Sequence, residues 1–268
     1  MGSQSAILRT QNLALGYGHK PIIHGLNLEI PSGQITVLVG PNGCGKSTLL
    51  RGLARLIRPQ QGRIYLHDQP IAKFANQAFA QQVGILPQGT IAPEGLTVRE
   101  LVAQGRFPYQ NWWQAESKDD EAKISEALAL TGLTELTWRP LNQLSGGQCQ
   151  RVWIAMALAQ DPNVLLLDEP TTFLDLAHQL DVLELLRQLN RTQAKTIVIV
   201  LHDLNQACRY ADHLLAMRSG RVHAQGRPET VLSVDLVRQV FDLESCIITD
   251  PVSHTPLCIP IRGISSSA

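Results

Sequence analysis

The residues Gly40-Pro41-Asn42-Gly43-Cys44-Gly45-Lys46-Ser47-Thr48 have the types and spacing that hold a nucleoside triphosphate. Gly40, Gly43 and Gly45 let the backbone turn its N–H groups inward around the β- and γ-phosphates, and a helix opening near Lys46 adds the partial positive charge of its N-terminus. Lys46 brings a full charge to the same oxygens, and Ser47 offers a hydroxyl to Mg²⁺, a cation that takes oxygen ligands and keeps several waters. Further along, Asp168 ends the apolar run Val164-Leu165-Leu166-Leu167, where a carboxylate can hold Mg²⁺ through water, and Glu169 beside it can reach a water attacking the γ-phosphate. Between these segments, Leu144-Ser145-Gly146-Gly147-Gln148 opens a helical pattern with Ser145 suited to the N-cap.

The flanking pattern must position these groups. Ile35 to Val39 reads as a buried strand leading into the glycine loop, followed by a helix from Lys46 to about Ile57. Upstream, Ile7 to Tyr17 and Leu26 to Ile30 read as an antiparallel layer, and Ile64 to Asp68 and Val83 to Pro87 as further strands. From Gly89 to about Leu144 the periodicity turns helical, with Val98, Leu101 and Val102 and then Ile124, Ala127 and Leu128 at helix spacing. Strand 164–167, helix 177–190 and strand 196–201 alternate as parallel strands with crossover helices do. A hairpin through Ser219-Gly220, a helix Val234 to Phe241 and a proline-bearing hairpin over 247–261 close the chain.

The sequence has 268 residues, 44% hydrophobic and 17% charged, which is the composition of a globular protein with a sizeable core. Twenty-three basic and twenty-three acidic residues cancel, which argues against non-specific nucleic-acid binding. The start of the chain carries no signal-like apolar stretch, and no run approaches the ~18 apolar residues of a spanning helix, so a membrane role is expected to come through a partner chain. Cys44, Cys149, Cys208, Cys246 and Cys258 are odd in number without a Cys-x-x-Cys pair, which fits free thiols in a reducing compartment. Cys44, close to Lys46 and a helix N-terminus, is expected to be a reactive thiolate that ATP shields.

With the glycine loop, the Leu144–Gln148 pentapeptide and Asp168-Glu169 in this order, the chain resembles the ATPases of ABC transporters over nearly its whole length. The resemblance implies an α/β fold: a P-loop NTPase core with a mostly parallel sheet, an N-terminal antiparallel β layer and an inserted helical subdomain. It implies a single ABC ATPase domain over 1–268, with 1–88 and 145–268 as the nucleotide-binding core and about 89–144 as the helical subdomain. Residues 40–48 and Ser145, Gly146, Gly147 and Gln148 are then ATP-binding. The signature helix of one subunit would present Ser145 and Gly147 to the γ-phosphate on a second subunit, so that hydrolysis needs a homodimer. Tyr17 matches the aromatic on which adenine stacks, and Gln88 the glutamine that contacts Mg²⁺ or the lytic water. Asp175, after Leu174, matches the loop that crosses the dimer interface, and His202 the switch histidine at the γ-phosphate. Glu169, His202 and Gln88 would thus be catalytic, with Ser47, Gln88 and Asp168 at Mg²⁺. Cys149 departs from the family pattern, which places a basic residue there.

A repair ATPase would be split by a long coiled coil and a translation factor would carry two cassettes, and neither feature is present in the sequence. Residues 96–109, 201–210 and 250–256 look like the ATPases of ferric-siderophore importers, whose near relatives import haem or vitamin B12. The resemblance implies a peripheral subunit at the cytoplasmic face of the bacterial inner membrane, bound to permease subunits and served by a substrate-binding protein. The permease is expected to dock between Gln88 and Trp113, with Arg106 or Tyr109 at the contact.

Overall fold

The computed structural model describes residues 6–18, 20–89, 94–110, 116–172 and 174–264. They form two compact units, one built from the chain up to Lys73 together with Thr196 onward, the other from Phe74–Lys195.

The first unit begins with strands β1 (Ala6–Tyr17) and β2 (Lys20–Pro31), paired antiparallel, then β3 (Ile35–Val39) and helix α1 (Lys46–Leu53). β4 (Gln61–Leu66) pairs antiparallel with β1 and with the short β5 (Gln69–Pro70). Leu13 and Leu15 of β1 and Leu26, Leu28 and Ile30 of β2 are buried at every second position, the period of a sheet with one face on a core. The helix expected to reach Ile57 stops at Leu53, because Arg55 takes φ 62° and the N–H groups of Leu56 and Ile57 both turn back to the Arg51 carbonyl. The strand expected through Asp68 stops at Leu66, since His67 and Asp68, at φ 47° and 61°, are the two-residue turn into β5.

The second unit holds α2 (Asn76–Gln82), β6 (Val83–Leu86), α3 (Val98–Ala103), a 3₁₀ turn (Gln104–Tyr109), α4 (Lys118–Leu130), α5 (Gly146–Ala159), β7 (Val164–Asp168) and α6 (Leu176–Gln193). Val98, Leu101 and Val102 of α3 meet Ile124, Ala127 and Leu128 of α4 and Val152, Ala155 and Ala159 of α5 in one core. Three of these helices open on a reciprocal cap, Thr97 with Glu100, Ser117 with Asp120 and Ser145 with Gln148. β6 and β7 run parallel, Leu86 opposite Leu167.

The chain completes the first unit with β8 (Thr196–Val200), α7 (Leu204–Tyr210), β9 (His213–Arg218), β10 (Arg221–Gly226), α8 (Pro228–Val231), α9 (Val234–Phe241), β11 (Leu243–Thr249) and β12 (Pro256–Gly263). β3 lies between β8 and β9, parallel to both, and is buried along its whole length, which explains why its residues are apolar apart from Thr36. β11 and β12 form the expected last hairpin, with Cys246 opposite Ile259 and Ile247 opposite Cys258. Cys246 is exposed and Cys258 buried, so the two thiols sit on opposite faces and remain free.

Two contacts fix features the chemistry depends on. The β9–β10 turn carries Ser219 and Gly220 at φ 49° and 74°, and the Gly220 N–H donates to the Cys44 carbonyl at 2.9 Å while its carbonyl accepts from His24 at 3.3 Å. A Cβ on Gly220 would fall 1.8 Å from the Ile22 carbonyl oxygen, so only glycine fits between β2 and the glycine loop. In the second unit Arg106, expected at a docking surface, is instead 2% exposed. Its Nε donates to Asp120 Oδ1 at 2.7 Å, Nη1 to the Ala159 carbonyl at 3.0 Å and Nη2 to Asp119 Oδ2 at 2.8 Å, and its guanidinium lies 4.0 Å from the Tyr109 ring centre. A guanidinium can be buried only with such a full set of acceptors, and Arg106 therefore joins the 3₁₀ turn to α4 and α5 rather than facing a partner. Burial alone would raise the Asp120 carboxyl; hydrogen bonds from Arg106 and Ser117 overcome it and hold the group below the ordinary aspartate value.

Replacing Gly220 by Val should force the loop or β2 to move, cost about 1–3 kcal/mol of stability and weaken nucleotide binding in parallel, measured by thermal unfolding and nucleotide titration. Changing Arg106 to Leu should strand Asp120 and cost about 3–5 kcal/mol, read as a lowered unfolding midpoint; a variant with wild-type stability would show that the buried pair contributes nothing.

Candidate nucleotide site

The glycine loop leaves β3 at Val39 and enters α1 at Lys46, which puts it at the C-terminal end of a central parallel strand, where ligand crevices of such sheets open. Gly40, at φ 150°, lies so close to β9 that a Cβ would stand 2.2 Å from the Met217 carbonyl oxygen. Gly45, at φ 108°, is the N-cap of α1 and packs its α-carbon toward Ile23, while Gly43, at φ 76°, faces open space. The loop is thus braced from behind by β2, β9 and Gly220. No side chain caps α1, which leaves its first N–H groups to point into the loop.

Lys46 is 5% exposed, and its ammonium donates to the carbonyls of Gly40 at 2.7 Å and Pro41 at 3.1 Å. A protonated amine has three N–H donors, so a phosphate oxygen can take the third. Cys44 is buried at 4% exposure, and burial pushes its thiol up more strongly than the charge of Lys46 draws it down. The expectation of a reactive Cys44 thiolate is therefore corrected: at this position the loop contributes its backbone, and the sulfur lies inside, within 2.9 Å of where a Gly40 side chain would begin.

Tyr17 ends β1 half exposed, with its hydroxyl accepting from Arg51 Nη1 of α1 at 3.1 Å. His202 follows β8, which runs parallel to β3; the Leu201 N–H donates to the Leu38 carbonyl at 3.2 Å, so the exposed His202 leaves the sheet at the same edge as the glycine loop. Tyr17, residues 40–48 and His202 all belong to the first unit.

The second unit repeats this geometry. Gln88 follows β6 and Glu169 follows β7, two parallel neighbours, and Gln88 Nε2 donates to Glu169 Oε2 at 2.6 Å. Asp168 closes β7 at 2% exposure. Glu169 is held at φ 53°, a conformation that costs a non-glycine residue roughly 1–3 kcal/mol. Thr172 holds it there, its N–H donating to the Glu169 carbonyl at 3.2 Å and its hydroxyl to Oε2 at 3.2 Å. Strain kept in place by local hydrogen bonds at a strand end aims a carboxylate. Asp168 in this unit carries a carboxylate and Ser47 in the first a hydroxyl, each an oxygen donor of the kind Mg²⁺ takes.

Ser145 accepts the Gln148 N–H at 3.2 Å and its own N–H donates to Gln148 Oε1 at 3.0 Å, so the pentapeptide is a closed capping box whose Ser145 and Gly146 remain exposed. The Gln150 amide donates to the Pro170 carbonyl at 2.9 Å and ties α5 to the turn after Glu169. Asp175 caps α6, accepting the His178 N–H at 2.9 Å, and that bond with the His178 ring holds its carboxyl below the ordinary value. At Cys149 burial pushes the thiol up. Gly220, Met217, Thr172 and Gln150 were not singled out in the sequence, and only the Ser219-Gly220 turn left a local trace there.

Residues 23–172 match the ABC transporter family model. The chain is 56% identical over 253 residues to the petrobactin import ATP-binding protein FpuD of Bacillus anthracis, covering 94% of this chain and 93% of that protein. It is 48% identical over 267 residues to the ferric enterobactin transport ATP-binding protein FepC of Escherichia coli, covering 100% of this chain and 98% of the other. Among solved structures it is similar to an inward-facing putative metal-chelate type ABC transporter, at TM-score 0.82 and 31% identity over 96% of this chain and 98% of that one. Among the described residues no helix is long and apolar enough to cross a membrane. The glycine loop, the capped signature helix and the paired Gln88 and Glu169 thus sit in a chain that belongs to the ABC transporter family, as an ATP-binding subunit with the ABC ATPase fold.

Proposed function

We propose that this chain hydrolyses ATP to drive import of ferric siderophores through a separate membrane permease. The observation that carries the hydrolytic part is the 2.6 Å hydrogen bond from Gln88 to the strained Glu169, a carboxylate oriented at a strand end by two neighbours. The siderophore class is supported by near full-length identity to the petrobactin and ferric enterobactin subunits.

In this reading adenine stacks on Tyr17, while the N–H groups of residues 40–48 and the ammonium of Lys46 hold the β- and γ-phosphates. Mg²⁺ held by Ser47 and Asp168, with Gln88 beside it, would offset charge on the phosphate oxygens. Glu169 takes a proton from water, the water oxygen bonds to the γ-phosphorus, and the bond from that phosphorus to the bridging oxygen breaks to leave ADP and phosphate. His202 positions the water and γ-phosphate. Cassettes of this family work as dimers beside permeases. Ser145, Gly146, Gly147, Gln148 and Asp175 act across that interface, where the exposed N-terminus of α5 offers donors to the partner copy's nucleotide.

The helical subdomain is assigned to about 89–144 and the nucleotide-binding core to the remainder. The permease docks on the 3₁₀ turn, at a peripheral site on the cytoplasmic face of the membrane, and a substrate-binding protein delivers the cargo. Trp112 and Trp113, part of the expected docking segment, lie outside the described residues. Phe107 is 63% exposed and Tyr109 37%, and both Gln77 and Gln81 donate to the Pro108 carbonyl at 2.8 Å, so the aromatic pair stands on a braced turn.

Lys46→Ala should abolish nucleotide binding and iron uptake, whereas Glu169→Gln should bind ATP, lower kcat about 10²- to 10⁴-fold and run as a dimer with ATP and Mg²⁺ on size exclusion. Hydrolysis at the wild-type rate by the Gln variant would remove Glu169 from the role of base. Phe107→Asp should keep the ATPase rate of the purified chain and lose uptake of ⁵⁵Fe-siderophore in cells; unchanged uptake would move the docking surface elsewhere.

A further inference from the structure

Two segments that single out the importer class in the sequence, 201–210 and the hairpin around 250–256, belong to elements that meet in the first unit. α7 begins one residue after Asp203, whose Oδ1 accepts the N–H groups of Asn205 at 2.7 Å and Gln206 at 2.8 Å. The Asn205 side chain then reaches β12 as a strand would. Its Nδ2 donates to the Cys258 carbonyl at 3.1 Å, and its Oδ1 accepts the Cys258 N–H at 2.8 Å, so one amide satisfies both backbone groups of a single residue.

The turn of the hairpin that offers this edge is closed by its own hydrogen bonds. Asp250 accepts the Val252 N–H at 2.8 Å and the Ser253 hydroxyl at 2.8 Å, and its backbone pairs with Thr255 and His254 at 2.9 Å each. Cys208 of α7 and Cys258 of β12 are both buried free thiols. α7 also packs on β3, the strand that carries the glycine loop.

His202 stands between the two anchors. On one side Leu201 is hydrogen-bonded to Leu38 of β3; on the other, Asp203 caps a helix whose first turn is pinned by Asn205 to β12. We infer that Asn205 is a positioning residue for hydrolysis: its paired hydrogen bonds to Cys258 make the C-terminal hairpin the fixed support of His202. This rests on the assignment of His202 to the γ-phosphate. A hydroxyl, an aliphatic chain or a longer amide at position 205 cannot make both bonds at these distances. Loss of the bond pair frees the first turn of α7 and lets the imidazole drift, and a misplacement near 1 Å can cost about 10²-fold in rate.

The test is a double-mutant cycle on the purified full chain, reading kcat and KM for ATP with Mg²⁺. Asn205→Ala should lower kcat about 10- to 100-fold while KM for ATP stays within about twofold, because the glycine loop and Tyr17 are untouched. Asn205→Asp, which keeps the acceptor for the Cys258 N–H and loses the donor, should fall between Ala and wild type, and it carries the test if the Ala variant does not fold. In a His202→Ala background either substitution should change kcat little further, since a residue acting through His202 has nothing left to position. If Asn205 variants lower kcat by the same factor with and without His202, or do not lower it at all, the inference is overturned. If His202→Ala itself leaves kcat unchanged, the assignment of His202 fails instead, and the two failures are distinguishable.

Discussion

A single buried ammonium organises the glycine loop of the first unit. Lys46 has only 5% of its surface exposed, and the groups it touches, the Gly40 and Pro41 carbonyls, are neutral. Burying a cation against dipoles is tolerated only where the dipoles are held rigidly, and the loop is held so from three directions. Gly40 is pressed on the Met217 carbonyl, Gly45 on Ile23, and the Cys44 carbonyl takes a hydrogen bond from Gly220. The glycines are needed for two separate reasons: positive φ at 40, 43 and 45, and lack of room for a Cβ at 40, 45 and 220.

The same economy of placement appears wherever a strand ends. In the first unit β3 and β8 run parallel and release the glycine loop and His202 at one edge; in the second, β6 and β7 release Gln88 and Glu169. Parallel pairing is what makes this possible, because it aligns the ends of strands that are distant in sequence and so brings their first loop residues side by side. The positive φ of Glu169 then redirects the chain immediately after β7, and Thr172 and Gln88 both hold its Oε2.

Much of this was legible in the residues. Short, mostly apolar runs announced β3, β7 and β8 because fully buried parallel strands have no solvent face, and the apolar residues expected in the cores of α3 and α4 are buried. What the sequence could not express were contacts between segments far apart along the chain. Nothing local distinguishes Gly220 in a hairpin turn from any other turn glycine, although it wedges between β2 and the loop. Arg106, set among aromatics, reads as a surface cation until Asp120, fourteen residues on, and Ala159, from another helix, are seen to enclose it. Cys44 misled for the opposite reason: its neighbours in sequence favour a thiolate, whereas its surroundings in space bury the sulfur.

Arg106 and Lys46 together show how a structural cation differs from a functional one. Both are nearly inaccessible, at 2% and 5% exposure. Arg106 meets the carboxylates of Asp120 and Asp119 together with one carbonyl, so the charge is matched where it lies and the group acts as a joint between elements. Lys46 donates to two carbonyls and, among the described residues, forms no ion pair, so its charge is met by dipoles and reinforced by the uncapped N-terminus of α1. Removing Arg106 therefore leaves a buried anion unpaired and loosens the fold, whereas the field around Lys46 is one that an anion from outside would complete. Burial strengthens that field by keeping water away, which is why a lysine inside a braced loop binds phosphate far better than one on a surface.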